Sequence, residues 1–388
     1  MGAGARGAGA RGREGAAFTS VKRLLGRRPS ELDNRIFDLV PYEISDEDAG
    51  AEVSLLLGDE RLTPEAVSAE VLKELKRRAE ADLGEAVTGA VVSVPARFGG
   101  AQVAATRRAM ALAGLDVLRV IVEPAAAALA YGFGREEQEV VCVVDLGGGT
   151  LDVSVLQVGG GVCEVLASGG DDFLGGDDYD ACIVDWVLRR LGEGPGVRAQ
   201  LNPAALHRLR EAAEAAKNRL STAPVAAFDL PGLLPAEAAD LRDGVCFRGD
   251  LGRDEFQGMT RPLTDRVRDR ILEVTSGVRD SQGVAVNLAD MGVVLVGGAT
   301  KMPAVRDVIW EVFGREPAPE EGVDPAEAVA LGAALGAAVI DGTVQRSEAV
   351  LLDETPDVED LNILAEKLRD LLKDDVPDDV WDPNPLEQ

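Results

Sequence analysis

Two aspartates, three consecutive glycines and a threonine occupy the junction of two apolar runs in VVCVVDLGGGTLDVSVLQV, residues 140–158. Asp145 can hold a hydrated Mg²⁺ against an anion, and Gly147, Gly148 and Gly149 let the backbone bring its N–H groups close to that anion. The hairpin therefore reads as a phosphate clamp, and as an ordinary glycine turn in the alternative that a short motif leaves open. A second glycine site lies at residues 293–313, VVLVGGATKMPAVRDVIWEVF, where four apolar residues run into Gly297-Gly298 and a helix follows Pro303. A backbone crossing without side chains admits a flat ring or a sugar. Two such sites of complementary kind suggest one nucleotide held between two lobes.

A third group, Glu214, Lys217 and Ser221, shares one face of a helical segment that begins near Ala204. By spacing alone it reads as an ion pair on a solvated face. The only histidine, His207, has no Cys or Ser motif beside it, so histidine-based catalysis has nothing to build on. Cys142, Cys163, Cys182 and Cys246 show no CxxC spacing and read as core residues of a reducing compartment.

These groups need elements to position them. The first strand of the hairpin is apolar on both faces, as in a covered sheet, and Leu151, Val153 and Val155 mark one face of its partner. Upstream, Thr63-Pro64 opens a helix that Gly84 ends, strands are expected at Val91–Val94 and Val117–Val122, and helices at Gln102–Ala113 and from Pro124. Downstream, a strand is expected at Val162–Leu166, helices at Ala181–Leu191 and Ala204–Leu220, irregular chain with short strands at Phe228–Asp250, and a helix at Leu263–Val278. Ala328–Ile340 reads as a buried helix, too short to span a bilayer. The alternation is that of an α/β protein.

Length and charge set the limits. A chain of 388 residues exceeds one ordinary core, so two lobes are expected. A net charge of −28 repels nucleic acid and anionic lipid, while a nucleotide can still bind through backbone amides and Mg²⁺. The head GAGARGAGARGREG is repetitive and basic without an apolar core, which fits low-complexity sequence or an organelle-targeting segment and not a secretory signal. The organisation expected is a head at 1–17, an incomplete first lobe at 18–137, a second lobe at 138–342 with an inserted subdomain at about 173–270, and an acidic tail at 343–388. The Leu361, Leu364, Leu368 and Leu371 stripe suggests one amphipathic helix in that tail.

The segments VVSVPARFGGAQVAATRRAMALAGLDVLRVIVEPAAAALAYGFG, VVDLGGGTLDVSVL, GGDDFLGGDDYD, RLREAAEAAKNRLS, VVLVGGATKMPAVRDVI and DPAEAVALGAALGAAVI resemble, in order and spacing, the 70-kilodalton heat-shock chaperones of the DnaK type. The resemblance implies an actin-like ATPase fold, two α/β lobes around an ATP or ADP with Mg²⁺. It implies that Glu123, Asp145, Asp152 and Thr150 serve the metal, the attacking water and the phosphates, with Asp145 reaching Mg²⁺ through water. It further implies that Gly147, Gly148 and Gly149 bind phosphate, and that Gly176, Glu214, Lys217, Ser221, Gly297 and Gly298 line ribose and adenine.

Several positions depart from the family pattern. No Asp-Leu-Gly-Thr-Thr-like first hairpin precedes Phe18, and the head lacks the lysine that the family sets against the γ-phosphate. Asp324-Pro325-Ala326-Glu327, Asn218, Ala299 and Val103 replace common family residues, and Val122 and Ala125 replace polar residues near the co-chaperone surface. The linker is echoed only in LLDETPD, and the substrate-binding domain has no counterpart. The leading expectation is a cytoplasmic or organellar nucleotide-binding domain with impaired hydrolysis, acting in protein folding. The alternatives are a competent chaperone seen in part, acting on unfolded polypeptide through a domain supplied elsewhere, and a non-catalytic module for J-domain co-chaperones or nucleotide-exchange factors. A sugar kinase would leave the VEPAAAALAYG and RLREAAEAAKNRLS segments unexplained.

Overall fold

A computed structural model describes residues 18, 20–40, 42–45, 53–57, 60–132, 139–159, 162–192, 203–234, 245–317 and 323–341. The head, the acidic tail and its leucine stripe lie outside them.

The centre is a four-stranded sheet. Strands β6 (Glu139–Leu146), β7 (Leu151–Gly159) and β8 (Val162–Asp171) form an antiparallel meander, and β11 (Gly292–Val296) lies parallel on the far side of β6, giving the order β11-β6-β7-β8. Side chains alternate across the sheet. Cys142, Val144 and Leu146 enter a large core with helices at Gly176–Leu191, Pro203–Thr222, Arg253–Thr275 and Pro303–Phe313, while Val141 and Val143 pack on Ala127, Ala128, Ala328 and Leu331. Helices therefore cover both faces, which is what a strand apolar on both sides requires. Burying each of these valines contributes about 1.5–3 kcal/mol before the entropy of ordering is counted.

The described residues of 20–132 build two smaller sheets and four α-helices. Strands β1 (Glu43–Ser45), β2 (Ser54–Leu57) and β3 (Glu60–Leu62) are antiparallel, and β4 (Gly89–Val94) pairs in parallel with β5 (Asp116–Val122). Helix α2 (Pro64–Leu83) follows the short helix α1 (Arg35–Leu39). As expected it starts at Thr63, whose hydroxyl accepts from the Ala66 amide at 3.2 Å, and stops at Gly84 with φ 72°. Helices α3 (Gly100–Leu112) and α4 (Glu123–Ala130) complete this half. Among the described residues no helix is long and apolar enough to cross a membrane.

Four expectations need correction. The stretch expected to be irregular chain with short strands holds two longer ones paired with each other, β9 (Val225–Leu234) and β10 (Val245–Gly252), whose Phe228, Phe247 and Leu251 give an apolar face toward the main core. The helix expected at Leu263–Val278 runs from Arg253 to Thr275 and carries Pro262 in its interior. Of the cysteines only Cys142 is buried. Cys163 and Cys246 are exposed and Cys182 lies between, with β8 at the edge of the sheet. The helix Ala328–Asp341 is buried at its start and only half-buried beyond Gly332.

Candidate functional site

The register of the main sheet places Asp145 opposite Asp152, with Val296 of β11 beside Asp145 on its other flank. The chain then turns through Gly147–Thr150, closed by a bond from the Gly147 amide to the Thr150 carbonyl at 3.0 Å. Among the described residues nothing accepts from the amides of Gly148, Gly149 and Thr150. Three successive free amides form a concave donor surface suited to an anion.

The loop is braced from behind. The Gly176 and Asp177 amides, which open helix α5 (Gly176–Leu191), donate to the Gly147 and Gly148 carbonyls at 2.9 and 2.7 Å. These donors hold the hairpin and are not free for a ligand. Gly175 must lack a side chain, since a Cβ there would sit 2.5 Å from the Gly148 oxygen and the Gly149 nitrogen.

Lys217, on helix α6 (Pro203–Thr222), is buried and donates to Asp180 Oδ2 at 2.8 Å and to the Gly176 carbonyl at 3.1 Å. The solvated-face reading of this trio is thus wrong for Lys217, whose partner is on a different helix. A Cβ on Gly176 would touch Lys217 Nζ at 2.9 Å, Ala299 Cβ at 3.7 Å and the Gly147 oxygen at 3.7 Å. The hairpin, the start of α5, Lys217 and the Gly297–Ala299 crossing therefore converge on one place. Glu214 and Ser221 flank Lys217 by one turn on either side, and Ser221 lines a crevice of about 10 Å³ with Met302 and Pro303, space for a single water.

At the crossing Gly297 takes φ 85°, where a side chain would collide with the Leu146 carbonyl and approach Asp145 Oδ1 at 2.9 Å. Its amide is bonded to the Pro325 carbonyl at 2.9 Å, and Lys301 pairs with Asp324 at 2.7 Å, so the Asp324–Glu327 segment fixes the crossing from outside. Nothing lies within 4 Å of a Cβ built on Gly298.

The other half supplies charge. Glu123, the first residue of α4, is buried and accepts from Lys22 Nζ at 2.7 Å. Lys22 stands on a 3₁₀ turn, Val21–Arg23, whose Val21 and following Leu24 and Leu25 are buried, turning the lysine into the cleft. Burial lowers its affinity for a proton, but Glu123, Asp145 and Asp152 together outweigh that and raise its pKa. The head carries no lysine, as read from the sequence, but Lys22 brings one to Glu123 from this half. Burial, Glu123 and Asp152 push Asp145 up to about 7 against the pull of Lys22. Arg23 donates to the Gly149 carbonyl, and Arg97 pairs with Asp152 at 2.9 Å.

Two atoms are orphaned at opposite ends of this arrangement. Arg23 Nη1 is a buried donor without a partner near the glycine loop, and Asp180 Oδ1 is a buried acceptor without one beside Lys217. Buried polar groups are rarely left unpaired, and these two match an anion and a hydroxyl respectively. Sequence reasoning missed Lys22, Arg23, Arg97 and Asp180. The last could have been found from its spacing of four after Gly176, which puts it one turn into α5, on the same face as Gly176. Ala125 is buried and Val122 half-buried. A family model described as Hsp70 protein matches residues 1–374.

Proposed function

Because the chain belongs to the Hsp70 family, whose fold is the actin-like ATPase fold, we propose that the convergence around Gly147–Thr150 is the nucleotide site of an ATP-binding heat-shock-type chaperone. The family binds ATP or ADP with Mg²⁺. The carrying observation is the run of three free amides with the orphaned Arg23 donor at one end and the orphaned Asp180 acceptor at the other.

In this reading the amides and Arg23 take the phosphate oxygens. Lys217, Asp180 and Glu214 hold the ribose. The base lies over Gly298, where the backbone is bare, and not in the narrow crevice beside Ser221. Asp145 orients the water shell of Mg²⁺, which when bound neutralises phosphate charge. Glu123, paired with Lys22, and Asp152, paired with Arg97, would orient an attacking water. Hydrolysis is reduced: among the described residues, the polar contacts reaching the hairpin from residues 20–132 come from side chains, Arg23 on Gly149 and Arg97 on Asp152. A second set of backbone amides would be worth roughly 3 kcal/mol per donor in the transition state. A J-domain co-chaperone or exchange factor is the partner class that goes with this reading.

Titration calorimetry with ADP and Mg²⁺ tests it. Binding is expected for the 388-residue chain, and Gly148→Val, which sets a side chain among the free amides, should weaken it at least tenfold, or about 1.4 kcal/mol. Equal affinity for both proteins would remove the phosphate clamp.

A further inference from the structure

Arg97 follows β4, in the half of the molecule built by residues 20–132, yet both of its ion pairs are with the other half. Its Nε donates to Asp152 Oδ1 at 2.9 Å and its Nη2 to Asp172 Oδ1 at 2.6 Å. Asp152 belongs to β7 and faces Asp145, while Asp172 follows the end of β8. One planar guanidinium thus joins a carboxylate on β7 to one in the turn after β8, which an ammonium cannot do in the same geometry. Arg27, also from the first half, reaches Asp172 at 3.6 Å.

The path of the side chain is built for it. A Cβ on Gly170 would lie 3.1 Å from Arg97 Nη2 and collide with the Leu151 carbonyl. On its outer side Arg97 borders a polar cavity of about 410 Å³ with Ser168, Gly169 and Arg270. No packed core rests on the guanidinium, so its removal should not unfold the chain. An isolated surface ion pair would be worth little. This one differs because Asp152 is only 18 % exposed and is the carboxylate paired across the hairpin from Asp145.

We propose that Arg97 is a positioning residue: by clamping Asp152 and Asp172 with one guanidinium it sets the separation of the two halves at the phosphate end of the cleft, and with it the alignment for phosphoryl transfer. The proposal rests on the nucleotide reading above. Misplacement by about 1 Å can cost ~10²-fold in rate while leaving binding largely intact. Arg97 therefore acts on turnover and not on affinity.

The test has two arms. In nucleotide-free protein, spin labels at Cys163 and at Lys73→Cys, with Cys182 and Cys246 replaced by serine, report the distance between the halves. Arg97→Gln should broaden that distribution and Arg97→Lys should restore it in part. With nucleotide, Arg97→Gln should keep ADP affinity within about threefold and lower single-turnover ATP hydrolysis at least tenfold, and the exchange Arg97→Asp with Asp172→Arg should recover part of the loss. An unchanged distribution, or a rate indifferent to a broadened one, overturns the proposal. Should Arg97→Gln not fold, Asp172→Asn removes one arm of the clamp and is read the same way. If the parent chain binds no nucleotide, the functional reading fails by itself, and the distance arm still decides whether the clamp exists.

Discussion

At the scale of single residues the decisive balance is at Asp145, a carboxylate that burial, Glu123 and Asp152 push up to about 7 while Lys22 pulls the other way. Its folded pKa lies above its ordinary value of 3.8, so the native state holds a proton that the unfolded chain has lost between those two values. Stability from this group is therefore greatest at low pH, falls as pH rises, and is lost fully above about 7. Asp145→Asn should raise stability at about pH 8 by roughly 2 kcal/mol, less than the full 1.36 kcal/mol per unit because the residue keeps some solvent, and change nothing near pH 4. Denaturant melts at the two pH values measure this. Binding moves the opposite way, since Mg²⁺ requires the carboxylate: ADP affinity in Mg²⁺ should weaken as pH falls from about 8 to 6 and be insensitive to pH in Asp145→Asn. An Asp145→Asn variant that binds as well as its parent would remove the aspartate from the metal's water shell. The motif made Asp145 legible in the sequence. Lys22 was not, because only the burial of Val21, Leu24 and Leu25 decides which way a lysine in a short basic segment points.

At the scale of elements two glycines with the same residue type do opposite work. Gly332 sits where helix Ala328–Asp341 crosses α4, and a Cβ there would run into the backbone of Ala126. Gly298 faces open space. Gly332→Leu should cost about 3 kcal/mol or more by overpacking and show as a lowered melting midpoint. Gly298→Leu should leave the melt unchanged and weaken ATP binding at least tenfold. Were Gly298→Leu to bind normally, the base would have to lie elsewhere. The hairpin, α2, both parallel strands and the helix after Pro303 were readable because caps, glycines and apolar periods agree there. Strands β9 and β10 were readable only as short strands in irregular chain, since their apolar face alternates with Asp229, Pro231 and Arg248, and their pairing joins segments that contain no turn signal as clear as Asp145–Thr150. The convergence of Gly176, Lys217 and Ala299 is a matter of tertiary packing, and spacing along one helix could only suggest a surface pair.

For the whole molecule, the two halves contribute unequally to the cleft: backbone amides from the main sheet, side chains from residues 20–132. Lys22 supplies the cation that the sequence did not promise, so ATP binding should be firm while alignment stays incomplete. Single-turnover hydrolysis should be on the order of a hundredfold below that of a family member with a second phosphate hairpin assayed alongside, and Lys22→Met should lower it further with little change in ADP affinity. A rate equal to that protein's would mean that the side-chain contacts suffice. One further consequence concerns the two amides of α5 that grip the hairpin from behind. That helix has 16 residues, about 24 Å at 1.5 Å per residue, and near its far end Trp186 packs 5.7 Å from both Phe228 and Phe247 while donating to Glu255 at 2.8 Å. A rigid rod pinned to the loop carries the indole on a lever arm of about 15 Å, so a tilt of a few degrees at the glycines becomes a shift of an ångström or so among the rings. The chain thereby carries its own optical gauge of what happens in the cleft, an intrinsic fluorophore wired mechanically to the phosphate loop.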